Sequence, residues 1–199
     1  MSTSVPVLPK ITLVLGGARS GKSAYAQDIA AAGARARPVY IATAQAGDAE
    51  MAARIAEHCA RRGDAWRTVE EPLDLAGALA GQSHAHVPVV VDCLTLWLSN
   101  LMADGRDPEA ETAHLIDALA RTPGPVVLVA NEVGLGIVPE NKLARDFRDA
   151  HGRLNQAVAA AAGRVVFLAA GLPMVMKDQE PNPARLKQFC FSTGAAVQR

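Results

Sequence analysis

The residues best suited to chemistry form one run: Gly16, Gly17, Ala18, Arg19, Ser20, Gly21, Lys22 and Ser23. The spacing G-x-x-x-x-G-K-S is that of a loop whose backbone N–H groups turn inward around phosphate oxygens. Glycine allows the tight backbone path, and a helix beginning at the end of the loop adds a favourable dipole. In this pattern Lys22 reaches the β- and γ-phosphates of a nucleoside triphosphate, and Ser23 reaches Mg²⁺. The loop specifies a nucleotide but not the reaction that follows.

A second candidate is His58. Arg54 lies four residues before it, and Arg61 and Arg62 lie three and four residues after it. On a helix these side chains share a face. Cations around an imidazole disfavour its protonation, and a neutral imidazole can attack phosphorus to form a phosphoramidate. The same pattern is also that of a solvated basic face near a helix C-terminus.

A third candidate is Asp92, which follows the apolar run Val87–Val91. An acid after such a strand approaches Mg²⁺ in phosphate-loop proteins, and it is equally a candidate N-cap for the next helix. Glu70 is a candidate ribose or base contact, or an ordinary exposed acid at a strand end. Asn131-Glu132-Val133-Gly134-Leu135-Gly136 has the composition of a shaped binding loop, although Asn131 also suits a turn. His84, His86, His114 and His151 show no ligand spacing and are expected to be ordinary surface or partly buried histidines.

The elements that must carry these residues can be read from periodicity. Ile11–Leu15 is a buried-strand pattern, and Ala24–Ala32 is an Ala-rich helix ending near Gly33. Pro38–Thr43 predicts a second strand. In an open parallel sheet its C-terminal loop lines the ligand crevice, which places Ala42, Thr43 and Ala44 beside the nucleotide or leaves them an ordinary βα turn. Asp48 caps a helix running from Ala49 to Arg62 and stopped by Gly63. Trp66–Pro72 predicts a short strand, Leu73–Leu79 a short helix, Thr95–Met102 a helix and Pro108–Ala120 a helix capped by Asp107. Pro125–Ala130 is a buried strand. A long helix covers roughly 140–162 with Pro139 near its first turn, Arg164–Ala169 is the last core strand, and Pro173–Lys177 is a short extension.

The 199 residues, half of them hydrophobic, suit one α/β domain with a substantial aliphatic core, since aromatics are only 4%. Lys+Arg and Asp+Glu are both 20, so no global charge points to nucleic acid or an anionic membrane. Cys59, Cys93 and Cys190 are odd in number and far apart, which fits a reducing cytoplasm better than disulfides or zinc. No apolar run reaches transmembrane length. Residues 1–10 are expected to form a flexible arm, 11–177 the domain and 178–199 a loosely attached tail.

Taken together, the segments resemble the bifunctional adenosylcobinamide kinase/adenosylcobinamide-phosphate guanylyltransferase family of cobalamin biosynthesis. The resemblance rests on the Gly16–Ser23 loop, Tyr40-Ile41-Ala42-Thr43, Glu50–Ile55 through His58, Trp66-Arg67-Thr68, and Asn131–Gly134 running on to Gly136–Asn141. It covers roughly residues 11–177, in the expected order. It implies a RecA-like P-loop NTPase fold, an α/β three-layer arrangement with a mostly parallel central sheet. It implies phosphorylation of adenosylcobinamide with ATP or GTP, followed by GMP transfer from GTP through a guanylyl-histidine to adenosylcobinamide phosphate. The family nucleophile falls on His58. The family's guanine-nucleotide contacts fall on the Gly16–Ser23 loop, on Ala42, Thr43 and Ala44, on Cys59, Ala60, Arg61 and Arg62, and on Glu70 and Asp92, with Mg²⁺ held by Ser23 and Asp92. A homotrimer is implied as well, with the histidine helix outside the compact core. The residues taken without the resemblance also fit a single-activity P-loop kinase or a nucleotide-binding switch.

Overall fold

The computed structural model describes residues 8–45 and 63–179. Among these described residues seven strands form one sheet: β1 (Ile11–Gly16), β2 (Val39–Ala42), β3 (Arg67–Glu70), β4 (Val89–Asp92), β5 (Val126–Asn131), β6 (Arg164–Ala169) and β7 (Leu172–Asp178). Their order is β3-β2-β4-β5-β1-β6-β7. All pairings are parallel except β6 with β7. The described helices are α1 (Lys22–Gly33), α2 (Leu75–Gln82), α3 (Leu94–Ala103), α4 (Pro108–Arg121) and α5 (Lys142–Ala161), with a short 3₁₀ turn at Gly63–Ala65.

The continuous apolar strands are apolar because both sheet faces are covered. Alternate residues of β1 feed opposite layers. Leu13 and Leu15 join Ile41, Val91, Leu128 and the apolar faces of α2 to α5, whereas Val14 joins Val90, Val127, Val129 and Val166 beneath Ala26 and Ala30 of α1. The small Ala26 and Ala30, both fully buried, let α1 lie close to the sheet. Trp97 of α3 is buried and satisfies its indole N–H on Leu73 O at 2.9 Å.

Several expectations shift by a few residues for identifiable reasons. Val87–Val91 becomes Val89–Asp92, because Pro88 has no N–H to give the ladder and sits just outside it. The long helix starts at Lys142, not near 140. Asn141 is its N-cap, accepting from Ala144 N at 2.7 Å, so Pro139 lies before the helix and not in its first turn. Gly33 is the last helical residue of α1, and Ala34 is the C-cap. The segment after β6 is a full strand, β7, turned back antiparallel through Ala170 and Gly171. Asp178 ends that strand and pairs with Arg164 at 3.0 Å. Lys10 is tied to Ala120 O at 2.7 Å, and Leu8 packs on the α1 side of the core. Asp107 caps α4 as expected, accepting from Glu109 N at 2.9 Å. The expected helix over 49–62 and the segment beyond residue 179 lie outside the described residues.

Candidate active site

The strand register brings the expected residues to one end of the sheet. Ala42 of β2 lies opposite both Glu70 of β3 and Asp92 of β4, and Asp92 lies opposite Val129 of β5. Asn131, two residues further along β5, lies opposite Gly16 of β1. This is the carboxyl end of a parallel sheet, where open α/β folds bind ligands. Glu70 stands two strand spacings, about 10 Å, from Asp92. It is exposed, on the opposite flank of β2 from the phosphate loop.

The loop's glycines are required at two positions. A Cβ on Gly16 would sit 2.4 Å from Leu168 O and 2.8 Å from Ser20 Oγ. Gly21 has φ 95°, a left-handed conformation that caps α1 and turns the chain into it. Arg19 also takes positive φ, at 54°. The β6–β7 turn closes over this loop, with Gly171 N donating to Ser20 O at 3.0 Å.

Lys22 is the first residue of α1 and only 7% exposed. Its ammonium donates to Gly17 O at 2.5 Å and to Ser20 Oγ at 3.4 Å. Burial pushes its pKa down, with Cys93 and Asp92 acting in the opposite sense. A buried cation short of hydration gains strongly from anionic oxygens beside it. Ser23, one residue on, is half-buried, and its carbonyl accepts from Gln27 Nε2 at 3.1 Å.

Asp92 is not a helix cap. Cys93 occupies the N-cap of α3, with no side-chain cap bond. The Asp92 carboxylate instead accepts from Tyr40 Oη through Oδ2, at 2.6 Å. Tyr40 is itself fixed edge-on against Trp66, with ring centroids 6.0 Å apart. Asp92 and Lys22 therefore sit on the α1 side of the sheet. Among the described residues no three His, Cys, Asp or Glu side chains converge on a common point. A cation here would draw on one carboxylate, a serine hydroxyl, water and nucleotide phosphates, the hard-oxygen set that Mg²⁺ takes. The residues present fit that ion.

Ala42, Thr43 and Ala44 follow β2 beside Asp92. Thr43 is fully buried and spends its hydroxyl on Cys93, accepting from its N–H at 2.8 Å and donating to its carbonyl at 2.7 Å. Thr43 N donates to Asp92 O at 3.1 Å, and Asn100 Nδ2 donates to Thr43 O at 2.8 Å. This residue splices two strand ends together, and only Ala44 beyond it is partly open to solvent. The Cys93 thiol is pushed up to about 11, first by burial and then by Asp92, so it is no nucleophile at neutral pH.

His58, Cys59, Ala60, Arg61 and Arg62 lie outside the described residues. Two features had not been expected from sequence. Tyr40 orients Asp92, and its signal was its place in β2 two residues before Ala42, on the same face as Asp92. His151 is 1% exposed, and its pKa is pushed down by burial, with Glu132 opposing. Its signal was the i, i+3, i+4 run Ala150, His151, Leu154, Asn155 and Val158 on the buried face of α5.

A glycine loop with a buried lysine, between a parallel strand and a helix, and an acid at the end of a neighbouring strand, defines a P-loop NTPase fold. A solved ATPase domain shares it: 12% identity, TM-score 0.51, covering 87% of this chain and 79% of that one. The family model described as cobinamide kinase / cobinamide phosphate guanyltransferase matches residues 12–176, and the chain belongs to that family of bifunctional enzymes. It is 51% identical to a bifunctional adenosylcobalamin biosynthesis protein of Pseudomonas aeruginosa, over 84% of this chain and 97% of that protein. It is 43% identical to one of Escherichia coli, over 83% and 98%. Among the described residues no helix is long and apolar enough to cross a membrane.

Proposed function

We propose that this chain phosphorylates adenosylcobinamide with ATP or GTP and then makes adenosylcobinamide-GDP, through a guanylyl group carried on His58, as a step of cobalamin biosynthesis. The observation that carries the reading is the buried Lys22 ammonium beside Asp92 at the carboxyl end of β1 and β4, in a chain of this family. In the first reaction the substrate hydroxyl attacks the γ-phosphorus. The bond to the β–γ bridging oxygen breaks, the nucleoside diphosphate leaves, and the hydroxyl proton passes to the medium. In the second, a His58 ring nitrogen attacks the α-phosphorus of GTP and pyrophosphate leaves. A phosphate oxygen of adenosylcobinamide phosphate then attacks the same phosphorus, breaks the P–N bond and frees His58.

The same loop serves both reactions because it neutralises polyphosphate charge, whichever phosphorus reacts. Lys22 contributes its ammonium to the β- and γ-oxygens, and the N-terminus of α1 contributes its backbone N–H groups. Ser23 and Asp92 would hold Mg²⁺, which supplies further charge neutralisation on the phosphate oxygens. Ala42, Thr43, Ala44, Glu70 and the Cys59–Arg62 stretch contact the guanine nucleotide. His58 engages the nucleotide in the second reaction only, a gating step.

The assembly is a homotrimer in the cytoplasm. Support for a self-associating surface comes from β7, an edge strand on which Leu172, Met174, Val175 and Met176 are 58 to 70% exposed. The direct test of the kinase half is cobinamide phosphorylation with ATP or GTP and Mg²⁺. Lys22→Ala is expected to lower turnover by about a hundredfold or more, the size of effect from deleting one preorganised charge stabiliser. A folded Lys22→Ala protein with unchanged turnover would contradict the reading.

A further inference from the structure

Strand β5 runs two residues past the end of β4, so the Asn131 N–H and C=O that face β4 have no strand partner there. Two helices supply the missing partners. Thr95 Oγ1 of α3 accepts from Asn131 N at 2.8 Å, and Asn155 Nδ2 of α5 donates to Asn131 O at 3.2 Å. His151 joins those two side chains. One ring nitrogen, Nε2, lies 3.0 Å from Thr95 Oγ1, and the other, Nδ1, lies 3.2 Å from Asn155 Nδ2. The result is a closed, buried ring of hydrogen bonds that grips Asn131 from both ends.

The ring has one consistent proton arrangement. Asn155 Nδ2 must face the Asn131 carbonyl, because the amide oxygen there would oppose another acceptor. Nδ2 therefore donates to His151 Nδ1 as well, which leaves the imidazole neutral with its proton on Nε2 and pointing at Thr95. The Thr95 hydroxyl proton is then free to turn toward the Cys93 sulfur. The arrangement leaves Asn155 Oδ1 buried without a partner among the described residues. Thr95 and Asn155 satisfy the Asn131 peptide groups, but neither of those two bonds needs a histidine between them, so backbone satisfaction alone does not account for His151.

What the ring holds is the reaction end of the sheet. Asn131 lies opposite Gly16, and the next residue, Glu132, donates its N–H to Gly16 O at 3.0 Å. The Glu132 carboxylate in turn accepts from Gly134 N at 2.6 Å and shapes the following loop. Thr95 also stands three residues beyond Asp92. We infer that His151 is a positioning residue for phosphoryl transfer: bridging Thr95 and Asn155, it sets the Asn131–Glu132 peptide against the phosphate loop. The inference rests on the kinase reading above.

The test uses the full chain with cobinamide, Mg²⁺ and ATP or GTP. Thr95→Val keeps the shape and removes the hydroxyl, and His151→Phe removes both ring nitrogens. Each is expected to lower kcat by about tenfold or more with nucleotide KM within about threefold, because a small misplacement at the reacting end costs rate more than binding. Thr95→Ser keeps the hydroxyl and is expected to restore kcat to within about threefold of the parent. At a pH low enough to protonate exposed histidines, ¹⁵N NMR of the parent is expected to show a neutral, Nε2-protonated signal that is missing from His151→Phe and shifted in Thr95→Val. If His151→Phe does not fold, Thr95→Val and its serine counterpart carry the test. Turnover within about twofold of the parent in Thr95→Val, a loss shared equally by Thr95→Ser, or a His151 protonated on Nδ1 overturns the inference. If the parent itself does not phosphorylate cobinamide, the kinase reading falls alone, and the ring is judged by the NMR arm and by slow hydrolysis of bound nucleotide in the same variants.

Discussion

Tyr40 donates its phenolic proton to Asp92 Oδ2 across 2.6 Å, joining the middle of β2 to the end of β4. Trp66 holds the ring edge-on from the other side, so the carboxylate is aimed by a partner that cannot easily move. Outer partners of this kind typically affect metal affinity by one to two orders of magnitude. Tyr40→Phe keeps the ring and removes the hydroxyl. It is expected to raise the Mg²⁺ concentration for half-maximal kinase rate by about tenfold. A magnesium titration of the variant checks this, and an unchanged midpoint would separate Asp92 from the ion.

The loop glycines should differ sharply in tolerance. Gly16→Ala drives a methyl group against Leu168 O, a backbone atom that cannot swing away. It is expected to lose about 1–3 kcal/mol of stability, the usual cost of overpacking, and to lose nucleotide binding. Gly17→Ala meets nothing within 4 Å and is expected to unfold at nearly the parent urea concentration. Paired urea titrations decide it.

His151 makes stability depend on pH in one direction. Burial lowers its folded-state pKa below the ordinary 6.5, so the unfolded chain binds a proton that the native chain refuses. This contribution is fully present above about pH 6.5 and is lost as pH falls through that value, at up to about 1.4 kcal/mol per pH unit until the folded pKa is reached. Urea midpoints between pH 8 and pH 5 should fall less steeply in His151→Phe than in the parent.

Much of this was legible in the sequence because the signals were local. The strand–loop–helix from Ile11 to Gly33 needs only neighbouring residues to define it, and Asp107 caps its helix from within one turn. Ala42 followed from one rule about parallel sheets, Asp92 from the acid expected after an apolar strand in a phosphate-loop protein, and Glu70 from its place at a strand end. What stayed hidden depends on pairing between distant segments. Tyr40 and Asp92 are 52 residues apart. Thr95 and His151 are 56 residues apart, and a lone histidine in a helix carries no mark of the threonine it will meet. β7 was underestimated because nearly all its side chains are exposed, which removes the alternation that normally betrays a strand. Pro139 drew the start of α5 forward, when Asn141 held the stronger capping signal.

The most direct test of the central claim is intact mass after incubation of the protein with GTP and Mg²⁺, beside a His58→Ala control. Guanylyl transfer through His58 predicts an acid-labile adduct of one GMP that is absent from the variant, while cobinamide phosphorylation by the variant persists. No adduct on the parent chain, with GTP still bound, would contradict that transfer.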